Sequence, residues 1–218
     1  MKVKWYGHAA FLITSDLGAK IMTDPYEPGA FGGAIAYGPI PDQADIVLVS
    51  HDHADHNFVQ GLKGKPQVIK GTGSHKVKNL EFKGFAAYHD GRKGSERGQN
   101  TIFCFCVDGV KICHLGDLGH VPSDPEAKQI GPVDLLLMPV GGVYTINPAQ
   151  ATQTAQKLSP KIVIPMHYKT PRCGFPLAVV EDFTSGKAGV KKIKDSEVEI
   201  KKESLPQYTE IVVLQPAL

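Results

Sequence analysis

Residues 46–56 read Ile46-Val47-Leu48-Val49-Ser50-His51-Asp52-His53-Ala54-Asp55-His56. The opening apolar run predicts a buried β-strand. A strand that ends in a burst of imidazoles and carboxylates delivers those groups to one rim of a sheet. His51 and His53 are two apart, so in extended backbone they point the same way and can share one cation. Asp55 and His56 are adjacent, and a chain turning into a helix there aims both at a second position. The run therefore seeds a metal site, read as binuclear, whose remaining ligands lie elsewhere in the chain.

Upstream, strand-like runs at Val3–Tyr6, Phe11–Thr14 and Lys20–Thr23 are separated by Gly and Asp turn signals, and residues 25–41 read as a Gly/Pro-rich loop. Downstream, Asn57–Leu62 reads as a short helix, and Val68–Ile69, Leu80–Phe82 and Gly84–Tyr88 as strands. Residues 90–100 read as a loop, followed by strands Ile102–Val107 and Val110–His114 joined by Asp108-Gly109, a strong hairpin signal. Leu135–Met138 and Ile162–Pro165 are further strands. Between them a helix is expected from Pro148 to about Leu158, capped by Asn147. Many short strands with few helices predict two sheets with helices packed outside, in one domain spanning residues 1–218.

The 24 basic and 22 acidic residues leave a net charge of +2, too balanced for a nucleic-acid footprint. No apolar run approaches the ~18 residues of a membrane span, and the amino terminus lacks a signal-peptide core, so a cytoplasmic location is expected. The four cysteines, Cys104, Cys106, Cys113 and Cys173, lack zinc-knuckle or redox spacing and read as reduced core thiols.

Among nine histidines, the informative ones follow strands. His89 ends one, and His167 closes Val163-Ile164-Pro165-Met166-His167. Asp117 lies just past Val110–His114, in Gly116-Asp117-Leu118-Gly119-His120, where flanking glycines let backbone approach an ion. All three share the address of the opening run. His8 is a candidate for orienting a ligand or touching substrate, and so is His120; His114 reads as core and His75 as surface. Arg97, Asn100, Tyr144 and Thr145 are candidate substrate contacts.

This ordered set resembles the metallo-β-lactamase superfamily, with further likeness in Gly7-His8-Ala9-Ala10-Phe11-Leu12-Ile13 and Thr23-Asp24-Pro25. Gly116-Asp117-Leu118-Gly119-His120 and Pro139-Val140-Gly141-Gly142 resemble the small stand-alone Zn-dependent hydrolases related to L-ascorbate-6-phosphate lactonase. The resemblance implies an α/β fold, a four-layer αβ/βα sandwich with the site at one end of two packed sheets. It implies two divalent metal ions, with His51, His53 and His89 on the first, Asp55, His56 and His167 on the second, and Asp117 bridging. Asp24 would orient a ligand histidine.

The chemistry expected is hydrolysis of an ester, lactone, amide or phosphoester bond in a small molecule, because zinc lowers the pKa of bound water from 15.7 to about 7. Asp55 is the candidate general base. Zinc is the expected metal, with manganese and iron also compatible with N and O ligands. An iron oxidoreductase, a nucleic-acid phosphodiesterase and a non-catalytic metal-binding module are the alternatives, and a homo-oligomer is left open.

Overall fold

The computed structural model describes all 218 residues. A six-stranded sheet is built from β1 (Lys2–Gly7), β2 (Ala10–Thr14), β3 (Lys20–Thr23), β4 (Ile46–Val49), β5 (Gln67–Lys70) and β13 (Glu197–Glu199), in the order β13-β1-β2-β3-β4-β5. An eight-stranded sheet holds β6 (Gly73–Val77), β7 (Leu80–Tyr88), β8 (Gln99–Val107), β9 (Val110–His114), β10 (Leu135–Pro139), β11 (Ile162–Met166), β12 (Val190–Lys192) and β14 (Glu210–Val213). Its order is β12-β14-β11-β10-β9-β8-β7-β6, with β9, β10 and β11 parallel and the hairpins antiparallel.

The purely apolar reading of β4 has a simple cause. Ile46 and Leu48 join the main core between the sheets, while Val47 and Val49 join a second core on the outer face. Alternate residues of a strand face opposite sides, so a strand covered on both has no polar register. β2 behaves alike: Phe11 and Ile13 point inward, Ala10 and Leu12 outward. The main core buries Trp5, Phe82 and Phe103 completely, each stabilising the fold by about 1.5–3 kcal/mol.

The outer layer differs from expectation on one side. Over the six-stranded sheet it is the loop after β3, whose Tyr26, Ile35, Tyr37 and Ile40 are buried in the second core, and its single turn α1 (Ala30–Gly33) runs through left-handed backbone at Phe31 and Gly32. Helices cover the other sheet: α2 (Asp124–Ile130), α3 (Pro148–Leu158) and α4 (Val180–Thr184) bury Ile130, Ala151, Leu158 and Phe183. Asn147 caps α3 as expected, its side chain accepting from Gln150 N while Gln150 reaches back to the Asn147 N–H. Leu80–Tyr88 is one strand, because Gly84 leaves room for the backbone of Gly71 and does not break the ladder. Asn57–Leu62 shrinks to a 3₁₀ turn at Val59–Gly61. Cys106 lies exposed on β8, unlike the core thiol expected, because a buried Phe105 takes the inward register beside it. No helix is long and apolar enough to cross a membrane.

Candidate metal centre

Every expected ligand lies at the same end of the sandwich, because β3, β4, β7, β9 and β11 all leave their sheets there. The donor atoms fall into clusters within 4.8 Å: His51, His53 and His89 in one; His8, Asp55, His56 and His167 in another; and His51, His56 and Asp117 linking the two. The fold thus brings together the seven residues from four strand exits and adds His8, from the turn between β1 and β2.

Asp117 is the hub. Three imidazole Nε2 atoms stand around its Oδ2, those of His56 at 3.2 Å, His167 at 3.2 Å and His89 at 3.3 Å. Two donors on one tetrahedral zinc, each about 2.0–2.1 Å away, lie about 3.3 Å apart, so these spacings suit shared cations. His51 Nε2 and His53 Nδ1 lie 2.9 Å apart, again converging on one point. Buried and without hydrogen-bond partners are Asp55 Oδ1, Asp117 Oδ1 and His56 Nε2. Such orphaned polar atoms are costly unless a ligand satisfies them. The donor set therefore fits divalent metal.

The electrostatics agree. Burial opposes ionisation of Asp117, yet His167 and His56 hold its carboxyl well below the usual range. Burial likewise opposes a charge on His56, but Asp117 and Asp55 outweigh it and raise the imidazole well above its ordinary value. Positive charge is thus favoured where a metal would sit. Burial and the neighbouring His56 push His51 down to about 3, which leaves a neutral ring able to donate a lone pair near pH 7.

A second layer sets which ring nitrogen is free. Burial is outweighed by His114 and His56, which keep Asp24 ionised and therefore able only to accept. It accepts from His56 Nδ1 at 3.1 Å, from His114 Nε2 at 2.7 Å, and from Ser50 N and Oγ at 2.7 Å each. The Ser50 hydroxyl, having donated its proton to Asp24, accepts from His51 Nδ1 at 2.9 Å. His89 Nδ1 donates to the carbonyl of Tyr144 at 3.1 Å. His51, His56 and His89 therefore all present Nε2 to the centre. His8, Asp24 and His167 hold left-handed backbone at φ 51°, 37° and 51°, a strain of about 1–3 kcal/mol per residue that persists where surroundings over-determine it. The His167 N–H donates to the His8 carbonyl at 3.1 Å, which locks two of the three together.

Residues 2–167 match the family model for the beta-lactamase superfamily domain. The chain belongs to the metallo-β-lactamase superfamily. A Thermotoga maritima structure of this superfamily is 36% identical, covers 98% of this chain and 97% of its own, and superposes with a TM-score of 0.79. The UPF0173 metal-dependent hydrolase of Thermococcus onnurineus is 31% identical over 78% of this chain and 85% of its own length. That of Pyrobaculum arsenaticum is 28% identical over 93% and 97%. The superfamily placement and these relatives make the chain a metal-dependent hydrolase.

In this superfamily member the remaining candidates separate. Arg97 and Tyr144 line a cavity of about 240 Å³ beside Asp55, His89, Asp117 and His167. Asn100 lies in β8, not a loop, and serves the scaffold: its Oδ1 accepts from Asp117 N at 3.0 Å and its Nδ2 donates to Leu115 O at 2.8 Å. Thr145 is buried, with its hydroxyl turned to the Ile146 carbonyl. His120 faces away, 3.4 Å from Tyr88 N and beside Glu126, because Gly119 packs against the backbone of His89 and Asp90 and the chain leaves the rim there. The glycines flanking Asp117 serve close packing against the protein around it. At Gly116, φ 54°, a Cβ would strike Asn100 and Ser50. Ser50 and His114 were missed as orienting groups, although both sit where a strand meets the rim. Phe31 and Phe175, which also line the cavity, carried no sequence signal.

Proposed function

We infer that the protein is a binuclear metallohydrolase, with zinc the favoured metal, acting on an ester, lactone, amide or phosphoester bond of a small molecule. The observation that carries this reading is the buried Asp117 carboxylate under three imidazole Nε2 atoms at 3.2–3.3 Å. His51, His53 and His89 would hold one ion, Asp55, His56 and His167 the other, and Asp117 would bridge them. Bound there, the ions supply a water-derived nucleophile at neutral pH and stabilise charge developing on the substrate.

The chain's own residues provide the rest. Asp24 and Ser50 hold His51 and His56 in the tautomer that leaves Nε2 free. Asp55 has unequal oxygens: His8 Nε2 holds Oδ2 at 2.9 Å, while Oδ1 is unpaired. Although burial opposes it, His56 and His8 keep this carboxyl ionised, which leaves the unpaired Oδ1 to meet an ion or, where the second position is empty, to take a proton from the attacking water.

The test is metal quantification on protein purified without added metal, paired with turnover on lactone, phosphodiester and thioester panels. Two equivalents of metal with hydrolysis that falls sharply in Asp55→Ala and His53→Ala are expected. Full turnover in both variants would end the proposal.

A further inference from the structure

Beside the metal centre the cavity wall changes character. Phe31, Tyr144 and Phe175 stand edge-on in series: Phe31 and Phe175 have ring centroids 5.5 Å apart at 61°, and Tyr144 and Phe175 5.4 Å apart at 71°. The Arg97 guanidinium lies 5.5 Å from the Tyr144 ring centroid and continues the series with a cation. Among the residues lining this cavity Arg97 is the only Lys or Arg.

Folding alone does not account for this wall. Phe31 is 55% exposed and takes left-handed backbone, φ 54°, between Gly29, Gly32 and Gly33, which are also left-handed. A bulky residue there bears strain and buries little apolar area in return. Arg97 is held by comparable effort. Asp90, directly after His89, accepts from the N–H groups of Arg92 at 2.7 Å, Gly94 at 2.9 Å, Glu96 at 2.9 Å and Arg97 at 2.8 Å. One buried carboxylate thereby ties the Arg97 backbone to the segment that carries a ligand histidine. Glu96 stands 3.5 Å from the guanidinium, a solvated pair that an incoming anion exchanges at little cost.

We propose that this cavity takes a small organic anion with an apolar, preferably aromatic, body: Arg97 binds its carboxylate or phosphate, and Phe31, Tyr144 and Phe175 pack its body beside the metal centre. The inference rests on the hydrolase reading only for the statement that this ligand is the substrate. A planar guanidinium suits fork-like binding of a carboxylate or phosphate, and stacking on Tyr144 restricts its orientation. At about 240 Å³ the cavity falls below the roughly 300–1,000 Å³ of drug-sized ligand sites, which selects a compact molecule.

The probes are 3-phenylpropanoate and its neutral isostere 3-phenylpropanamide, bound to metal-loaded protein and followed by ligand-observed NMR. The acid should bind about tenfold tighter than the amide, and Arg97→Gln should remove most of that preference. Arg97→Lys, which keeps charge but loses the fork, should fall between. Phe31→Ala, at an exposed position, should weaken acid and amide alike by about three- to tenfold. In turnover, 4-nitrophenyl hydrogen glutarate should exceed its methyl ester in kcat/KM, and Arg97→Gln should bring the ratio near one. Equal binding of acid and amide, or a preference that survives Arg97→Gln, overturns the proposal. Arg97-dependent binding with no turnover of any anionic ester, lactone, amide or phosphoester supports the anion site and ends the statement that this ligand is the substrate.

Discussion

The two ends of the sandwich treat buried charge in opposite ways. At the end away from the metal centre the Met1 ammonium and the Asp134 carboxylate are answered from within the chain. The Met1 ammonium lies 2.9 Å from Asp16 and 3.3 Å from Asp108 and donates to Ile200 O. Asp134 accepts from Lys111 N at 2.8 Å and pairs with Lys202 at 2.7 Å. At the metal end, acids and imidazoles are denser, and several buried polar atoms, Asp55 Oδ1, Asp117 Oδ1 and His56 Nε2 among them, have no partner. One end is finished by folding, and the other is finished by what it binds.

The largest break in that comparison should come from chelation. Stripping one ion present at about 100 times its Kd removes about 2.7 kcal/mol. In a chain of this length that lowers Tm by about 5–10 °C, alongside loss of turnover. A calorimetric Tm indifferent to chelator would show that the metal end is complete without its ions.

Asp24→Asn comes next. It replaces a carboxylate that accepts from Ser50, His56 and His114 and thereby sets the free nitrogen of two ligands. Metal affinity should fall about 10–100-fold, read by competition with a chromogenic chelator.

At the far end Asp134→Asn should cost about 1 kcal/mol and leave metal affinity untouched. Burial opposes ionisation of Asp134, but the Lys111 N–H and Lys202 hold its folded pKa below the ordinary 3.8. The stability it contributes is therefore present above pH 3.8 and lost as pH falls through the lower, folded value. Wild type and variant should converge in urea midpoint at acid pH and separate toward neutrality.

The smallest effect is expected of His120→Ala, which touches neither ions nor core: within about 0.5 kcal/mol in stability and no change in bound metal. A drop in metal content would move the boundary of the metal end outward to α2.

Much of this was legible along the chain because its signals are local. The apolar run Ile46–Val49 announced β4, and Asn147-Pro148 announced α3, since periodicity and caps depend on neighbours in sequence. β6, α2 and everything after β11 (α4, β12, β13 and β14) are not legible there. Gly73–Val77 has only one buried residue, and Asp124–Ile130 buries only Ile130, so neither shows a face.

The sequence by itself determined the chemistry: imidazoles and carboxylates at strand exits, each fixed in place by where an apolar run stops. Only the tertiary structure decided the division of labour among them. Asp24 meets His114 across 90 positions, Asp117 meets His56 across 61, and Phe31 meets Phe175 across 144. Such pairings depend on how two sheets pack and in which register, information distributed over the whole core and carried by no short stretch of chain.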